Sequence, residues 1–258
     1  MTKTTEEHLR IEAEGALRRL VLDRPPLNVL DIGLLRALDV AVGRLETDRG
    51  ASVVLLTGEG KAFSAGVDVA DHTADRVQEM IDTLHATLVR VASLEMPVIA
   101  AVNGAALGGG LELALACDII LAREGAKLGQ PEIKLGVFPP FAAAVLPRRI
   151  GVSHTMDLCL TGRTILAEEA RGMGIVQHVF PRDDFAADAT AYAHELASLS
   201  PPVLRLAKRA IVGGMDAPVN EALHRAERIY LDELMELDDA REGLAAFLEK
   251  RTPRWKGA

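Results

Sequence analysis

The chain reads as an α/β fold in which strands and crossover helices fill roughly the first 180 residues and helices fill the rest. Two observations predict this. Short apolar runs such as Val53-Val54-Leu55-Leu56 and Val98-Ile99-Ala100-Ala101-Val102 alternate with longer segments of helical spacing, and beyond about residue 180 only helical spacing recurs. The order strand, strand, helix returns along the chain, which implies a repeating coil of units without a strict sequence period.

Residues 16–23 alternate like a strand and stop at Arg24-Pro25-Pro26, where two prolines force a turn. Asp31 caps a helix that runs to residue 45. Residues 53–57 form a buried strand closed by Gly58-Glu59-Gly60, and Phe63-Ser64-Ala65-Gly66-Val67-Asp68 is a loop of small residues. A helix from Thr73 to about residue 94 follows, then a buried strand over 98–102, a loop over 103–110, a helix over 111–117 and a strand over 119–122.

Residues 150–160, 167–173 and 184–199 have helical spacing, and Pro201-Pro202 opens another helix to about residue 212. A long amphipathic helix spans about 220–237. Its stripe comprises Ala222, Leu223, Ala226, Ile229, Tyr230, Leu234 and Leu237, which reads as intramolecular core at least in part. A last helix covers 240–250. Phe180-Pro181-Arg182-Asp183 divides a core of residues 1–180 from a helical region of 181–258.

Composition narrows the function. The chain has 258 residues, 49% hydrophobic and 26% charged, enough to bury a full core without a metal or disulfide staple. A net charge of −8 argues against nucleic acid as a partner. No apolar run reaches the roughly 20 residues that span a membrane, and residues 1–7 are polar, so a cytoplasmic location is expected. Cys117 and Cys159 stand apart, with no Cys/His cluster, and read as reduced buried thiols; no metal site is expected.

Two acidic residues stand out. Glu112 follows Leu107-Gly108-Gly109-Gly110-Leu111, and Glu132 lies in Gly129-Gln130-Pro131-Glu132, within text that otherwise reads as apolar core. Two carboxylates brought into one pocket suit general acid and base work, because a desolvated pair titrates apart and passes protons to and from one water. Taken singly, each glutamate reads sooner as a solvated surface residue, and Gly108 to Gly110 equally as a tight turn before a helix; taken together in their motifs, the glutamates read as a functional pair.

These motifs, with Asn103-Gly104, Cys117-Asp118 and the tail Phe247-Leu248-Glu249-Lys250-Arg251, resemble in order the enoyl-CoA hydratase/isomerase (crotonase) superfamily, over about residues 20–255. The resemblance implies a crotonase-like spiral of ββα units with a C-terminal helical trimerisation region. It also implies a homotrimer or a hexamer (dimer of trimers) and a coenzyme A thioester as substrate, with no separate cofactor. It makes the N–H groups of Val67 and Gly109 the oxyanion hole; such donors are worth ~3 kcal/mol each when aimed at developing charge. It makes Glu112 and Glu132 the two catalytic carboxylates, one acting as base on the water and the other delivering a proton to carbon. The isomerase branch relies on one carboxylate, so the pair favours hydration.

The resemblance also sets the adenine against backbone near Leu27, Asn28 and Ala65, beside Gly66, and brings Phe247 and Lys250 to a neighbouring subunit's ligand. Lys250, Arg251, Arg254 and Lys256 make a basic end that reads either as a 3′-phosphate site or as a solvated face. Asp68 and Asp118 read as braces for loops and caps. His72 reads as a cap or surface residue near the ligand, and His85 as a packing residue in a helix.

One departure bears on mechanism. Hydratases of this family have a glycine-rich turn after a proline, whose peptide N–H helps hold the water. Here the text is Gly136-Val137-Phe138-Pro139-Pro140-Phe141, and Pro140, which has no N–H, takes the glycine position. Either the carboxylates alone hold the water, or the water sits elsewhere because it adds to a different carbon. This segment, Asp71-His72 and the tail Tyr230-Leu231-Asp232-Glu233 resemble the cyclohexa-1,5-dienecarbonyl-CoA hydratases, which add water 1,4 across a cyclic diene. Phe138 and Phe141 read as walls of a ring-shaped pocket or as ordinary core aromatics. A generic enoyl-CoA hydratase, a double-bond isomerase or thioester hydrolase, and a non-catalytic RNA-binding protein are the other readings; the acidic balance speaks against the last.

Overall fold

The computed structural model describes residues 2–6 and 8–257. β1 (Thr2–Glu6), β2 (Leu9–Glu14) and β3 (Leu17–Leu22) form an antiparallel meander leading to α1 (Ile32–Leu45). Three units then repeat one pattern. β4 (Val53–Gly58) and β5 (Ala62–Ser64) precede α2 (Val77–Ser93); β6 (Val98–Val102) and β7 (Ala105–Leu107) precede α3 (Gly109–Leu115); β8 (Ile119–Arg123) and β9 (Lys127–Gly129) precede α4 (Pro140–Thr161). After β10 (Thr164–Leu166), α5 (Ala167–Met173) and β11 (His178–Phe180) the chain is helical.

The first strand of each unit enters a seven-stranded sheet of order β1-β2-β3-β4-β6-β8-β11, and the second a four-stranded sheet of order β10-β9-β7-β5. β3, β4, β6, β8 and β11 are parallel neighbours, so every return needs a crossover, which the helices supply. The result is the expected ββα spiral. The main core lies between the large sheet and α1 to α3, around Leu34, Leu38, Leu56, Phe63, Leu88 and Leu113. Asp31 caps α1 by accepting the Leu34 N–H at 2.8 Å, as its sequence position predicts.

Several elements differ from expectation. β5 and β7 fall inside stretches expected to be loops, and β9 and β10 were not expected; three residues each are too few to carry a readable alternation. β1 and β2 are too polar to read as strands, and Glu12 there is ringed by Lys3, Arg10 and Arg19 at 3.4–3.8 Å. α2 starts at Val77 rather than Thr73, because Thr73 opens a separate turn whose carbonyl accepts from Arg76 and Val77. α4 starts at Pro140, ahead of the expected 150, and breaks at Gly151 (φ 77°, ψ 163°).

The expected helix over 220–237 is not continuous. α6 (Phe185–Ala197) and α7 (Pro201–Val212) lead to α8 (Val219–Arg228), a wide turn (Ile229–Glu233), a tight turn (Leu234–Glu236) and α9 (Asp238–Leu248). The cause is Asp239, buried at the start of α9, which accepts from Ser200 Oγ at 2.7 Å and from the backbone N–H of Lys256 and Gly257. That clamp needs the chain to turn at Leu237. The apolar stripe is only half covered: Ala222, Ala226 and Ile229 are half-buried, whereas Leu223 and Tyr230 are exposed. Among the described residues no helix is long and apolar enough to cross a membrane.

Candidate active site

The loop after β5 is pinned from both sides. Ala65 N–H donates to the Leu27 carbonyl (2.9 Å), Leu30 N–H to Gly66 (2.8 Å) and Asp68 N–H to Leu30 (3.0 Å). Between them the Val67 N–H has no acceptor among the described residues. Gly66 has φ 109°, a turn that strains any side-chain-bearing residue, and a Cβ there would meet the Leu107 carbonyl at 2.9 Å.

The second loop reaches the same point. Gly108 (φ 52°) donates its N–H to Gly129 at 2.9 Å and turns the chain into α3, whose first N–H, that of Gly109, has no acceptor among the described residues. A Cβ on Gly109 would stand 3.4 Å from the Val67 nitrogen, and one on Gly66 would stand 3.7 Å from the Gly109 nitrogen. Two free N–H groups from separate loops therefore adjoin, and such a pair can stabilise an oxygen gaining negative charge.

Glu112, one turn into α3, is almost fully buried, and its Oε1 accepts the Ala142 N–H at 2.9 Å. That donor is available because Ala142 lies in the first turn of α4, where N–H groups lack intrahelical partners. Burial pushes the Glu112 carboxyl above its ordinary value, while the N–H groups of Ala142 and Phe141 oppose the shift.

Glu132 sits on the 3-10 turn Pro131–Leu135. Burial raises its carboxyl to about 7, its own backbone N–H opposes, and the charge of Glu112 adds to the rise. Gln130 is fully buried, and in the amide orientation that pairs donors with acceptors its nitrogen donates to the Glu132 oxygens at 3.1 and 3.2 Å and to the Gly108 carbonyl at 3.3 Å. Sequence reasoning assigns Gln130 no role; the one available signal is a glutamine set between Gly129 and Pro131 in otherwise apolar text.

A cleft of about 200 Å³ joins these parts, bringing together Val67, Gly109, Glu112, Glu132, Phe138 and Pro140, with Ala65 and Gly66 at its edge. Met80 and Leu84 of α2 add apolar wall that sequence reasoning did not assign, because nothing local distinguishes them from core. His72 also lines the cleft, its Nδ1 3.2 Å from the Asp68 carbonyl oxygen.

Other expected site residues lie outside this cleft. Phe141 does not line the cleft; it is half-buried and packs on the main core, because the second residue of α4 points inward. Leu27 and Asn28 do not line it either. The Asn28 side chain is buried as a brace, accepting from Arg24 N–H (2.9 Å) and donating to the carbonyls of Glu59 (3.0 Å) and Ala62 (2.8 Å). Phe247 and Lys250 lie exposed near the end of α9, away from the cleft. The basic end is partly neutralised within the chain: Arg251 is held by Glu242 and Glu249, and Lys256 by Asp238. Asp68 and Asp118 act as the expected braces, Asp118 accepting from Val98 N–H and Lys208 Nζ, both at 2.7 Å.

Comparison with known proteins places the chain in a family. The profile of the family described as enoyl-CoA hydratase/isomerase matches residues 12–258. A "Cyclohexa-1,5-dienecarbonyl-CoA hydratase" of Thauera aromatica is 38% identical over 246 residues, covering 95% of this chain and 95% of that protein. A "Probable enoyl-CoA hydratase" of Rhizobium meliloti is 40% identical over 253 residues, covering 97% and 98%. The crystal structure of an enoyl-CoA hydratase from Bacillus anthracis superposes with a TM-score of 0.94 at 37% identity, covering 98% of this chain and 100% of that one. This chain belongs to the enoyl-CoA hydratase/isomerase family and is an enzyme of the hydro-lyase type.

Proposed function

We propose that this enzyme hydrates a cyclic conjugated dienoyl-CoA thioester, with cyclohexa-1,5-diene-1-carbonyl-CoA as the favoured substrate. The thioester oxygen sits against the N–H groups of Val67 and Gly109 and takes up negative charge as water adds. Glu112 and Glu132 hold and activate that water, and the carboxyl that carries the proton delivers it to carbon. The raised Glu132 carboxyl suits the acid role, and Glu112, whose charge is eased by N–H donors from α4, suits the base role.

The observation that carries the reading is at the start of α4. Pro140 offers no N–H, and the two that follow, of Phe141 and Ala142, are directed at Glu112 rather than at water. Water in this site is therefore held by carboxylates, a different arrangement from a backbone-held water, and this fits addition at one end of a diene with protonation at the other. The apolar Phe138 and the small cleft favour a compact acyl group. At about 200 Å³ it falls below the roughly 300–1,000 Å³ of sites that take whole drug-sized ligands, so it suits the acyl end of the thioester.

A homotrimer or a dimer of trimers belongs to the same proposal. Its support is the run of exposed apolar side chains at Leu223, Tyr230, Leu231, Leu244, Phe247 and Leu248, of the kind that marks a protein interface. Light scattering on the purified protein tests it, and a monomer at micromolar concentration would refute it.

The function is tested by following loss of conjugated-thioester absorbance with cyclohexa-1,5-dienecarbonyl-CoA and crotonyl-CoA in parallel. Faster turnover of the cyclic diene supports the proposal. Preference for crotonyl-CoA makes the enzyme an ordinary enoyl-CoA hydratase and removes the significance given to Pro140.

A further inference from the structure

The face of the large sheet turned away from the catalytic cleft carries a second cavity. α6 covers this face only along the first halves of the strands, where Leu17, Val53, Leu55 and Ile99 pack beneath Phe185 and Ala189. Further along the same strands the residues turn polar, with Arg19, Thr57, Asn103 and Arg123 facing a cleft of about 390 Å³. The cleft lies at the carboxyl ends of parallel strands, the place where open α/β sheets bind ligands. It shares no lining residue with the catalytic cleft.

Its charges are unevenly satisfied. Arg10 is held by Asp23 at 2.6 Å and Glu59 at 2.7 Å, and Arg19 by Thr190 Oγ1 at 2.7 Å and Glu12 at 3.8 Å. Glu12 and Glu59 are thereby used, and Asp183 is the remaining carboxylate of the lining. Arg123 and Arg182 have no ion-pair partner among the described residues. Phe180 pairs in register with Arg123, which brings Arg182, two residues later, to the same corner. The guanidinium of Arg182 lies over Gly125, 3.2 Å from where a Cβ would stand.

Two polar atoms of the floor are also orphaned: Arg123 Nε has no acceptor and Asn103 Oδ1 no donor. Buried polar atoms without partners are rare in folded proteins and call for an explanation such as a missing ligand or water. In a chain of net charge −8, two unpaired guanidinium groups at one cleft are a local exception. Their planar forks match the oxygens of carboxylate and phosphate.

We propose that this cleft is a second binding site, taking a small oxyanion between the guanidinium groups of Arg123 and Arg182. Phosphate and carboxylate ligands share that chemistry. The test is calorimetric titration of the full-length protein with inorganic phosphate and, separately, with malonate, at constant ionic strength set by chloride. R182Q and R123Q are titrated alongside, with circular dichroism as the check on folding. Arg182 is exposed, so R182Q retains the fold even where R123Q does not.

The expected result is saturable binding of one of the two anions, weakened about tenfold or more by R182Q, as loss of a charge-assisted hydrogen bond requires, and unchanged in Glu112→Gln. The anion that binds more tightly names the ligand class. Absence of saturable binding by both anions would overturn the proposal. So would equal binding by wild type and R182Q, which would place the anion elsewhere on the protein.

Discussion

Ala142 donates its backbone N–H to Oε1 of Glu112 across 2.9 Å, so the open end of α4 is turned onto a carboxylate of α3 rather than onto solvent. The helix dipole and the N–H together favour the ionised form of a group that burial would otherwise neutralise. Glu132 has only its own N–H on a short 3-10 turn to oppose burial, the charge of Glu112 adds to the rise, and its carboxyl reaches about 7. One fold thus gives two glutamates different electrostatic surroundings, the difference on which the proposed base and acid roles rest.

Removing either carboxyl tests that division. Glu112→Gln and Glu132→Gln are each expected to lower kcat about 10²- to 10⁴-fold, with a far smaller change in KM, because neither substitution touches the Val67 and Gly109 N–H groups proposed to hold the thioester. Steady-state kinetics on the preferred thioester checks this. An enzyme that loses activity with only one of the two variants is an isomerase-type catalyst.

Hydration needs one carboxyl ionised and the other protonated, so the rate is expected to fall as pH rises through about 7, where Glu132 loses its proton. A pH profile of kcat reports this limb, and its absence in Glu132→Gln assigns it.

The same group sets a stability trend. The folded-state value of Glu132 lies above its unfolded value of 4.5, so the folded state holds more protons between pH 4.5 and about 7. Its contribution is full below that window and is lost as pH rises through it. Glu132→Gln is therefore expected to be more stable than wild type at pH 8, by about 2 kcal/mol once partial exposure is allowed for, and the gain should shrink near pH 5. Thermal melts at the two pH values decide it.

Pro140→Gly restores an N–H at the start of α4. The variant is expected to gain crotonyl-CoA hydration relative to the cyclic diene by about tenfold, the weight of one good hydrogen bond to a bound water, while losing about 1 kcal/mol of stability from glycine in the first helical turn. An unchanged substrate ratio would show that position 140 does not set water placement.

Gly108→Ala strikes the site through the backbone. Position 108 has φ 52°, and a Cβ there would stand 2.6 Å from Glu132 Oε1. The expected result is a loss of about 1 kcal/mol from the backbone alone together with a fall in kcat, whereas Gly60→Ala, also at positive φ but with nothing within 4 Å, should lose stability and keep its kcat.

Much of this was legible in the chain. The parallel strands β4, β6 and β8 are continuous apolar runs because both faces are covered, and Asp31 announces α1 because a cap must offer an oxygen to the N–H of Leu34. Glu112 and Glu132 could be singled out because charge inside apolar text is costly and needs a reason. Pro140 was readable because the missing N–H is a property of the residue itself.

What only the tertiary structure decided depends on contacts between distant segments. The adjacency of the Val67 and Gly109 N–H groups arises from two loops meeting across β5 and β7, strands too short to show periodicity. The inward turn of Phe141 follows from how α4 docks, and the break at Leu237 from the clamp of Asp239 on Ser200 and the C-terminal backbone. Periodicity and residue type report burial and local conformation. Which polar group meets which, and so how far each carboxyl is driven from its solution value, is set by packing.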